Sequence, residues 1–293
     1  MKNADTLWGR SCEEKFFVRS LEITAAEKLF YNVDKHLIAY WPKSYEGATS
    51  TLQSRNAYIG NFTEKWVTEL ISSVLPKNLY AISGVECADL GLTSQSAADV
   101  VISKVNSKKQ SSKDIFVIFE VKMSIVWNWE LQNSKLQCLG DYKTHRGNPS
   151  LLRSDSMLKA IGKSINIRTS SEAARHIPIV IIGNTPKTEN YYEKVDHLKM
   201  SGIIQNVWSL NACPLDEIAD KDNLKETKGK GFLRFDSLNE LEYCVKDLLS
   251  CDLNFFSSMK TKEEIGKYIT IACKESTNEM KAIKFLSLLN EHK

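Results

Sequence analysis

The sequence predicts an α/β fold with a mixed central sheet, flanking helices, and helical additions at both ends. Three observations carry that expectation. Residues 97 to 126 hold two apolar, β-branched runs joined by a connector of Ser, Lys, Asn and Gln, which is the pattern of a β-hairpin. Ile177 to Ile182 is apolar except for one proline, as in a strand buried on both faces. Segments of helical periodicity separate these strands. Three regions are expected: a helical N-terminal region over 1–58, a core over 59–212, and a helical C-terminal region over 213–293 packed as one unit with the core.

In chain order, residues 1 to 20 carry no clear signal. Thr24 and Glu27 form a capping box, and Leu29, Phe30, Val33, Leu37 and Trp41 follow at helical spacing, so a helix is expected up to Pro42. A polar loop containing Arg55 and Asn56 fills 43 to 58. Residues 61 to 74 form a second helix, striped by Phe62, Trp66, Val67, Leu70, Ile71 and Val74 and closed by Pro76. Glu64 lies at the edge of that stripe. Tyr80 to Leu92 contains a strand bearing Glu86. After the hairpin, 128 to 153 is polar and irregular, and a long stretch of that kind points to function or disorder.

Ser154, Asp155 and Ser156 cap a helix running to about Arg168. Its expected inner face is Leu158, Ile161 and Ile165, with Lys159, Lys163 and Asn166 aligned on another. A helix over 189 to 200 and a strand over Ile203 to Leu210 complete a strand–helix–strand unit, right-handed by rule. Residues 215 to 231 form a charged loop, and the remainder is helical. Ser237 with Glu240 and Thr261 with Glu264 supply capping boxes, and Leu238, Leu241, Val245 and Leu248 supply one apolar stripe.

Composition excludes some classes. The 26% charged and 42% hydrophobic content is that of a soluble globular protein. No run approaches the roughly 18 apolar residues of a membrane span, and the N-terminus has no signal-peptide core, so a cytoplasmic protein is expected. The seven cysteines are scattered without a CxxC pair, and the five histidines have no zinc-ligand spacing. The net charge of +3 permits a nucleic-acid partner only if positive charge is unevenly placed. It is uneven: between Gly140 and Arg175, Lys or Arg stands at 143, 146, 153, 159, 163, 168 and 175, against acids at 141, 155 and 172.

The candidate chemistry sits in the hairpin. Asp99 opens its first apolar run, while Glu120 and Lys122 lie near the end of the second. A side-chain period of two puts Glu120 and Lys122 on one face and Phe119 and Val121 on the other. Ionised groups inside an apolar run cost several kcal/mol unless paired or metal-bound, and a divalent-metal site is the expected compensation. An acid-x-Lys triplet alone is weak: about four arise by chance in such a composition, and six occur, starting at 13, 120, 141, 226, 279 and 291. Only the triplet at 120 lies in an apolar strand, preceded at hairpin distance by an acid opening another.

Ala98-Asp99, twenty intervening residues, then Glu120-Val121-Lys122, with a Glu-bearing helix upstream, resembles the PD-(D/E)xK nuclease superfamily over residues 60 to 210. Ala98 stands where that family's nominal pattern has proline, which takes no part in the chemistry. The resemblance implies a restriction-endonuclease-like core with the site at one end of the hairpin. Asp99, Glu120 and the Val121 carbonyl would hold the metal, Glu64 and Glu86 would be optional outer ligands, and Lys122 would act in the reaction. Mg²⁺ suits this oxygen donor set.

The size and build resemble a type II restriction endonuclease. That implies double-stranded DNA as substrate, a homodimer to cut both strands, and a cognate DNA methyltransferase in the same system. A structure-specific repair or recombination nuclease and a catalytically silent DNA-binding protein are the alternatives. Asn128, Gln132, Lys143, Arg146, Arg153, Lys159 and Lys163 are the candidate DNA contacts, the Asn, Gln and Arg side chains for base edges and the lysines for phosphates. Trp127 and Trp129 are expected in the core.

Overall fold

The sheet that positions the site has six strands, and its sequence order places an antiparallel hairpin beside a parallel half. The structure is a computed structural model and describes residues 6–216, 224–250 and 262–291. In chain order it contains α1 (Arg10–Leu21), β1 (Tyr31–Val33), β2 (His36–Ile38), α2 (Gln53–Val74), β3 (Tyr80–Val85), β4 (Ala98–Ser103), β5 (Ile115–Val121), β6 (Asn128–Gln132) and β7 (Lys135–Gly140). These are followed by α3 (Ser154–Ser170), β8 (Ile179–Gly183), α4 (Tyr192–Met200), β9 (Asn206–Ser209), β10 (Phe232–Arg234), α5 (Leu238–Ser250), α6 (Lys262–Ala272) and α7 (Asn278–Glu291).

The large sheet runs β10-β9-β8-β5-β4-β3. β3, β4 and β5 pair antiparallel, whereas β5, β8, β9 and β10 pair parallel. This is a mixed α/β architecture, as the sequence patterns predict. The fully buried β8 divides its side chains between two cores: Val180 and Ile182 join the one covered by α1, α2 and α5, and Ile179 and Ile181 join the one covered by α3 and α4. A strand wetted on neither face needs the continuous apolar run seen at 177 to 182. Among the described residues no helix is long and apolar enough to cross a membrane.

The chain divides into two units, Met1–Asn254 and Phe255–Lys293. The second holds α6 and α7, which bury Tyr268, Leu288 and Leu289 around Phe285.

Several elements differ from the sequence expectation. The segment from Thr24 to Pro42 is not a helix. A 3-10 turn covers Ala26–Lys28, and β1 and β2 then form a hairpin turned at Asp34 and Lys35, both at positive φ. The buried Arg55 guanidinium donates to the carbonyls of Leu29 and Ala39, which a helix would have used internally. α2 starts eight residues earlier than expected, so Arg55 and Asn56 are helical. The 128–153 stretch is not wholly irregular: β6 and β7 form a second two-residue hairpin turned at Asn133 and Ser134. Together with β1 and β2 they make a four-stranded antiparallel sheet, order β1-β2-β6-β7. β10 was not foreseen, since three residues carry no period. The loop expected at 215–231 falls partly, and the Thr261 cap wholly, outside the described residues. The Ser237 cap forms, with its hydroxyl accepting from Glu240 N–H at 3.3 Å.

α1 was also unforeseen, because a carboxylate sits on its inward face. Glu13 is fully buried and accepts four bonds: from Val126 N–H (2.6 Å), Trp127 N–H (3.2 Å), Trp129 Nε1 (2.9 Å) and Trp8 Nε1 (3.3 Å). It therefore pins the chain just beyond the acid-x-Lys strand and seats Trp127 and Trp129 in the core. Burial pushes its carboxyl up from 4.5 to about 7, against the pull of those donors. The fold thus holds this proton more tightly than the unfolded chain does. The group favours folding most below about pH 4.5, and that contribution is lost as pH rises through 7. Urea midpoints between pH 4.5 and 8 should show wild type losing about 3 kcal/mol from this source. Glu13→Gln, whose amide meets donors with a donor, should be less stable and lack that slope. Equal slopes in the two proteins would remove the linkage.

Candidate active site

Register alone brings the two hairpin carboxylates together. Val100 pairs with Phe119 and Val101 with Ile118 across β4 and β5, so one step further Asp99 stands opposite Glu120. Val101 and Ile118 belong to the core under α3 and α4, while Val100, Val117 and Phe119 belong to the other. Asp99, Glu120 and Lys122 share the parity of the first set and so face α3. Like charges opposite one another on neighbouring strands repel, and two ammonium groups answer that repulsion.

Lys122 Nζ lies 2.6 Å from Glu120 Oε1, 3.3 Å from Asp99 Oδ2 and 3.1 Å from the Val121 carbonyl oxygen. Lys163 Nζ, arriving from α3, lies 2.9 Å from Asp99 Oδ1 and 2.7 Å from Glu120 Oε2. Asp99 Oδ2 also accepts the Val121 N–H at 2.7 Å, which ties β4 to β5 at the level of the site. Only 5% of the Glu120 side chain is exposed. Its carboxyl is pushed up first by burial and then by Asp99. Burial works to lower both lysines, but Asp99 and Glu120 outweigh it, and both ammonium groups end above their ordinary value. Glu64 on α2 is raised by partial burial and then by the charge of Asp99, with Lys122 and Lys163 opposing, so its carboxylate senses the same four groups.

A second set of contacts fixes the strand end. Lys122 N–H donates to Ile182 O at 2.7 Å, and Ser150 Oγ donates to Lys122 O at 2.7 Å. Asn184 N–H donates to Ser150 Oγ, and the Asn184 amide pairs with the main chain of Ser124 through both of its heteroatoms. Ser150 sits at positive φ (49°). A Cβ at Gly183 would lie 2.7 Å from Ser150 Oγ and clash with Leu151, so glycine alone permits this approach.

Of the expected site residues, Asp99, Glu120, Lys122 and the Val121 carbonyl meet, with Glu64 in electrostatic reach. Glu86 does not join them. Its main chain, one residue beyond the Val85–Ala98 pair, bonds to Lys108 and Gln110 of the β4–β5 connector, and no group of three carboxylates placed to hold a metal forms among the described residues. Asn128 is buried, and its Oδ1 accepts the Tyr40 N–H at 2.8 Å, so it is a structural residue. Gln132 ends β6 at the hairpin tip, and Lys143 lies beyond β7 with its N–H on Asp141 Oδ1. Arg146, Arg153 and Lys159 line a groove of about 910 Å³ that opens beside Lys122.

Lys163 was expected on a phosphate-facing surface but lies in the site. The cause is the rotation of α3. Leu158 and Ile165 are exposed, while Met157, Ala160, Ser164 and Ile167 turn inward, and this places Lys163 at the edge of the sheet-facing side. The spacing of Ala160 and Ser164, small enough to lie close on a sheet, was the available signal.

Among the described residues no group of three or more His, Cys, Asp or Glu side chains is placed to hold a metal. The oxygen set at 99 to 121 is two carboxylates and one carbonyl, and all three converge on a single cation, the Lys122 ammonium. Glu120 Oε2 is buried and accepts no hydrogen bond of good geometry, its nearby charge being Lys163. Two carboxylates and a carbonyl already gathered around a cation are hard oxygen donors that fit Mg²⁺, which takes one or two carboxylates and retains water. No protein-family model matches the chain, and no curated protein matches it significantly.

Removing one ammonium should expose the repulsion. Lys163→Met is expected to cost about 3 kcal/mol in urea unfolding, and Glu120→Gln in that background should recover part of it. Additive effects in the double-mutant cycle would show the two are uncoupled.

Proposed function

We propose that this protein is a Mg²⁺-dependent endodeoxyribonuclease of the restriction type, hydrolysing phosphodiester bonds of double-stranded DNA. The observation that carries the reading is the convergence of Asp99, Glu120 and the Val121 carbonyl on one cation at the end of a hairpin, beside a groove rich in positive charge. Asp99 and Glu120, with the Val121 oxygen, are the groups that would hold Mg²⁺. Bound there, the ion supplies charge neutralisation at the phosphate and a more acidic water.

The chain's own residues do the rest. Lys122 and Lys163 place two fixed ammonium groups within reach of a phosphate lying against the carboxylates, where negative charge grows in the transition state. The Val121 N–H bond to Asp99 and the Ser150–Asn184 brace hold these groups without reorganisation. Glu64 adds a third carboxylate on the approach from α2. Cutting both strands of a duplex needs two such sites, hence a homodimer, and a cell carrying the enzyme needs a protecting methyltransferase.

Supercoiled plasmid incubated with the purified protein and Mg²⁺ should be cut to discrete fragments, and EDTA should stop the reaction. Asp99→Ala and Lys122→Ala should each slow cleavage on the order of a hundredfold or more. Duplex affinity should change little, because phosphate contacts elsewhere dominate it. Wild-type cutting by either variant, or in EDTA, would defeat the assignment.

A further inference from the structure

The groove beside Lys122 is walled by the first turns of α2 on one side and by 146–159 on the other. Its charged lining is Arg55, Lys122, Arg146, Arg153 and Lys159 against the single carboxylate Asp155. Arg55 is committed to the fold through the Leu29 and Ala39 carbonyls, and the Arg153 guanidinium is forked onto Asp155 at 3.0 and 2.9 Å. Arg146 and Lys159 are exposed, with the Arg146 guanidinium steadied on Lys43 O. An anionic strand leaving the carboxylates therefore meets Arg146 and Lys159 first.

The aromatic walls are not stacking platforms. Trp41 lies between Tyr31 (4.4 Å) and Tyr45 (4.5 Å), and Tyr40 is stacked on His145 (4.0 Å) with Arg55 near its ring. With those faces in use, the exposed amides left to recognise a base are Gln53, Asn56 and Asn148, of which Gln53 and Asn56 stand together on the first turn of α2.

Those two residues are aligned with the site. At 100° per residue, Gln53, Asn56, Gly60 and Glu64 fall within about an 80° arc of α2. Glu64 is the member that senses Asp99 and Glu120. A Cβ at Gly60 would meet nothing within 4 Å, so the stripe is open between its two ends. Asn56 lies about 12 Å along the helix axis from Glu64, and Gln53 about 16 Å. At about 3.4 Å per base pair those separations correspond to about three to five steps.

Resting on the nuclease reading above, we propose that Gln53 and Asn56 are the sequence-discriminating residues of this protein. They read base edges, adenine being the base that Gln and Asn hold bidentately, about three to five base pairs from the scissile phosphate. Arg146 and Lys159 hold the intervening backbone. The β6–β7 hairpin, with Gln132 at its tip, takes no part in discrimination.

The test is selection of bound duplexes from a randomised pool by the full-length protein without Mg²⁺, followed by affinity measurement and by cleavage with Mg²⁺. Wild type should enrich a short motif containing adenine. Gln53→Ala/Asn56→Ala should bind that motif tenfold or more weakly while binding unselected duplex within about threefold of wild type. Arg146→Ala/Lys159→Ala should weaken both alike and flatten the salt dependence. Gln132→Ala should select the wild-type motif.

An unchanged motif and affinity in Gln53→Ala/Asn56→Ala, or a motif altered by Gln132→Ala, overturns the assignment of specificity while leaving cleavage standing. Selective binding lost in Gln53→Ala/Asn56→Ala but with no cutting by wild type overturns the nuclease reading and leaves this one. A wild type that enriches no motif overturns the proposal outright.

Discussion

Two carboxylates facing each other across neighbouring antiparallel strands, on the buried side of a sheet, set the terms for this end of the molecule. Asp99 and Glu120 are forced together by the same register that packs Val101 against Ile118. Shifting one strand by a single residue would relieve the repulsion but turn its whole apolar set to the wrong core. The hydrophobic pattern therefore imposes an electrostatic cost, and Lys122 and Lys163 offset it from two directions, one along the strand and one from the helix above. Neither lysine alone reaches all four carboxylate oxygens.

That arrangement depends on a rigid surround. β5 lies between β4 and β8, and the chain leaving it is held by Ile182, Ser150 and Asn184 within a few residues of Lys122. Glu13 then holds Val126, Trp127 and Trp129 from below, so the strand is fixed at its site end by hydrogen bonds as well as by packing. A site held in this way changes little when a charged ligand arrives, which is the condition under which fixed charges act most strongly on a reacting group. The buried carboxylate of α1 belongs to the same device, although it is far along the sequence from the acid-x-Lys triplet.

Periodicity was legible wherever one face of an element was uniformly apolar. The 97–126 hairpin, the buried strand at 177–182 and the helix closed by Pro76 all appear as their patterns indicate. It failed where polar groups are buried. α1 carries Glu13 inward, and the chain from Leu29 to Ala39 is held open by Arg55, whose partners are carbonyls of another segment. On α3, apolar Leu158 and Ile165 face outward because small Ala160 and Ser164 fit closer to the sheet.

The amino-acid order by itself determined that Glu120 and Lys122 occupy one face of one strand, because two-fold alternation is local, whereas the side to which Asp99 turns was set by the register between β4 and β5. It also determined the mixed sheet, through the contrast between alternating and continuous apolar runs. Only the tertiary structure decided that Lys163 completes the charge balance, that the main chain at Glu86 pairs with the connector and Asn128 turns into the fold, and that the start of α2 overlooks the groove. Those outcomes depend on how a helix is rotated against a sheet and on which distant carbonyl a buried cation finds, and neither is a property of any contiguous stretch of chain.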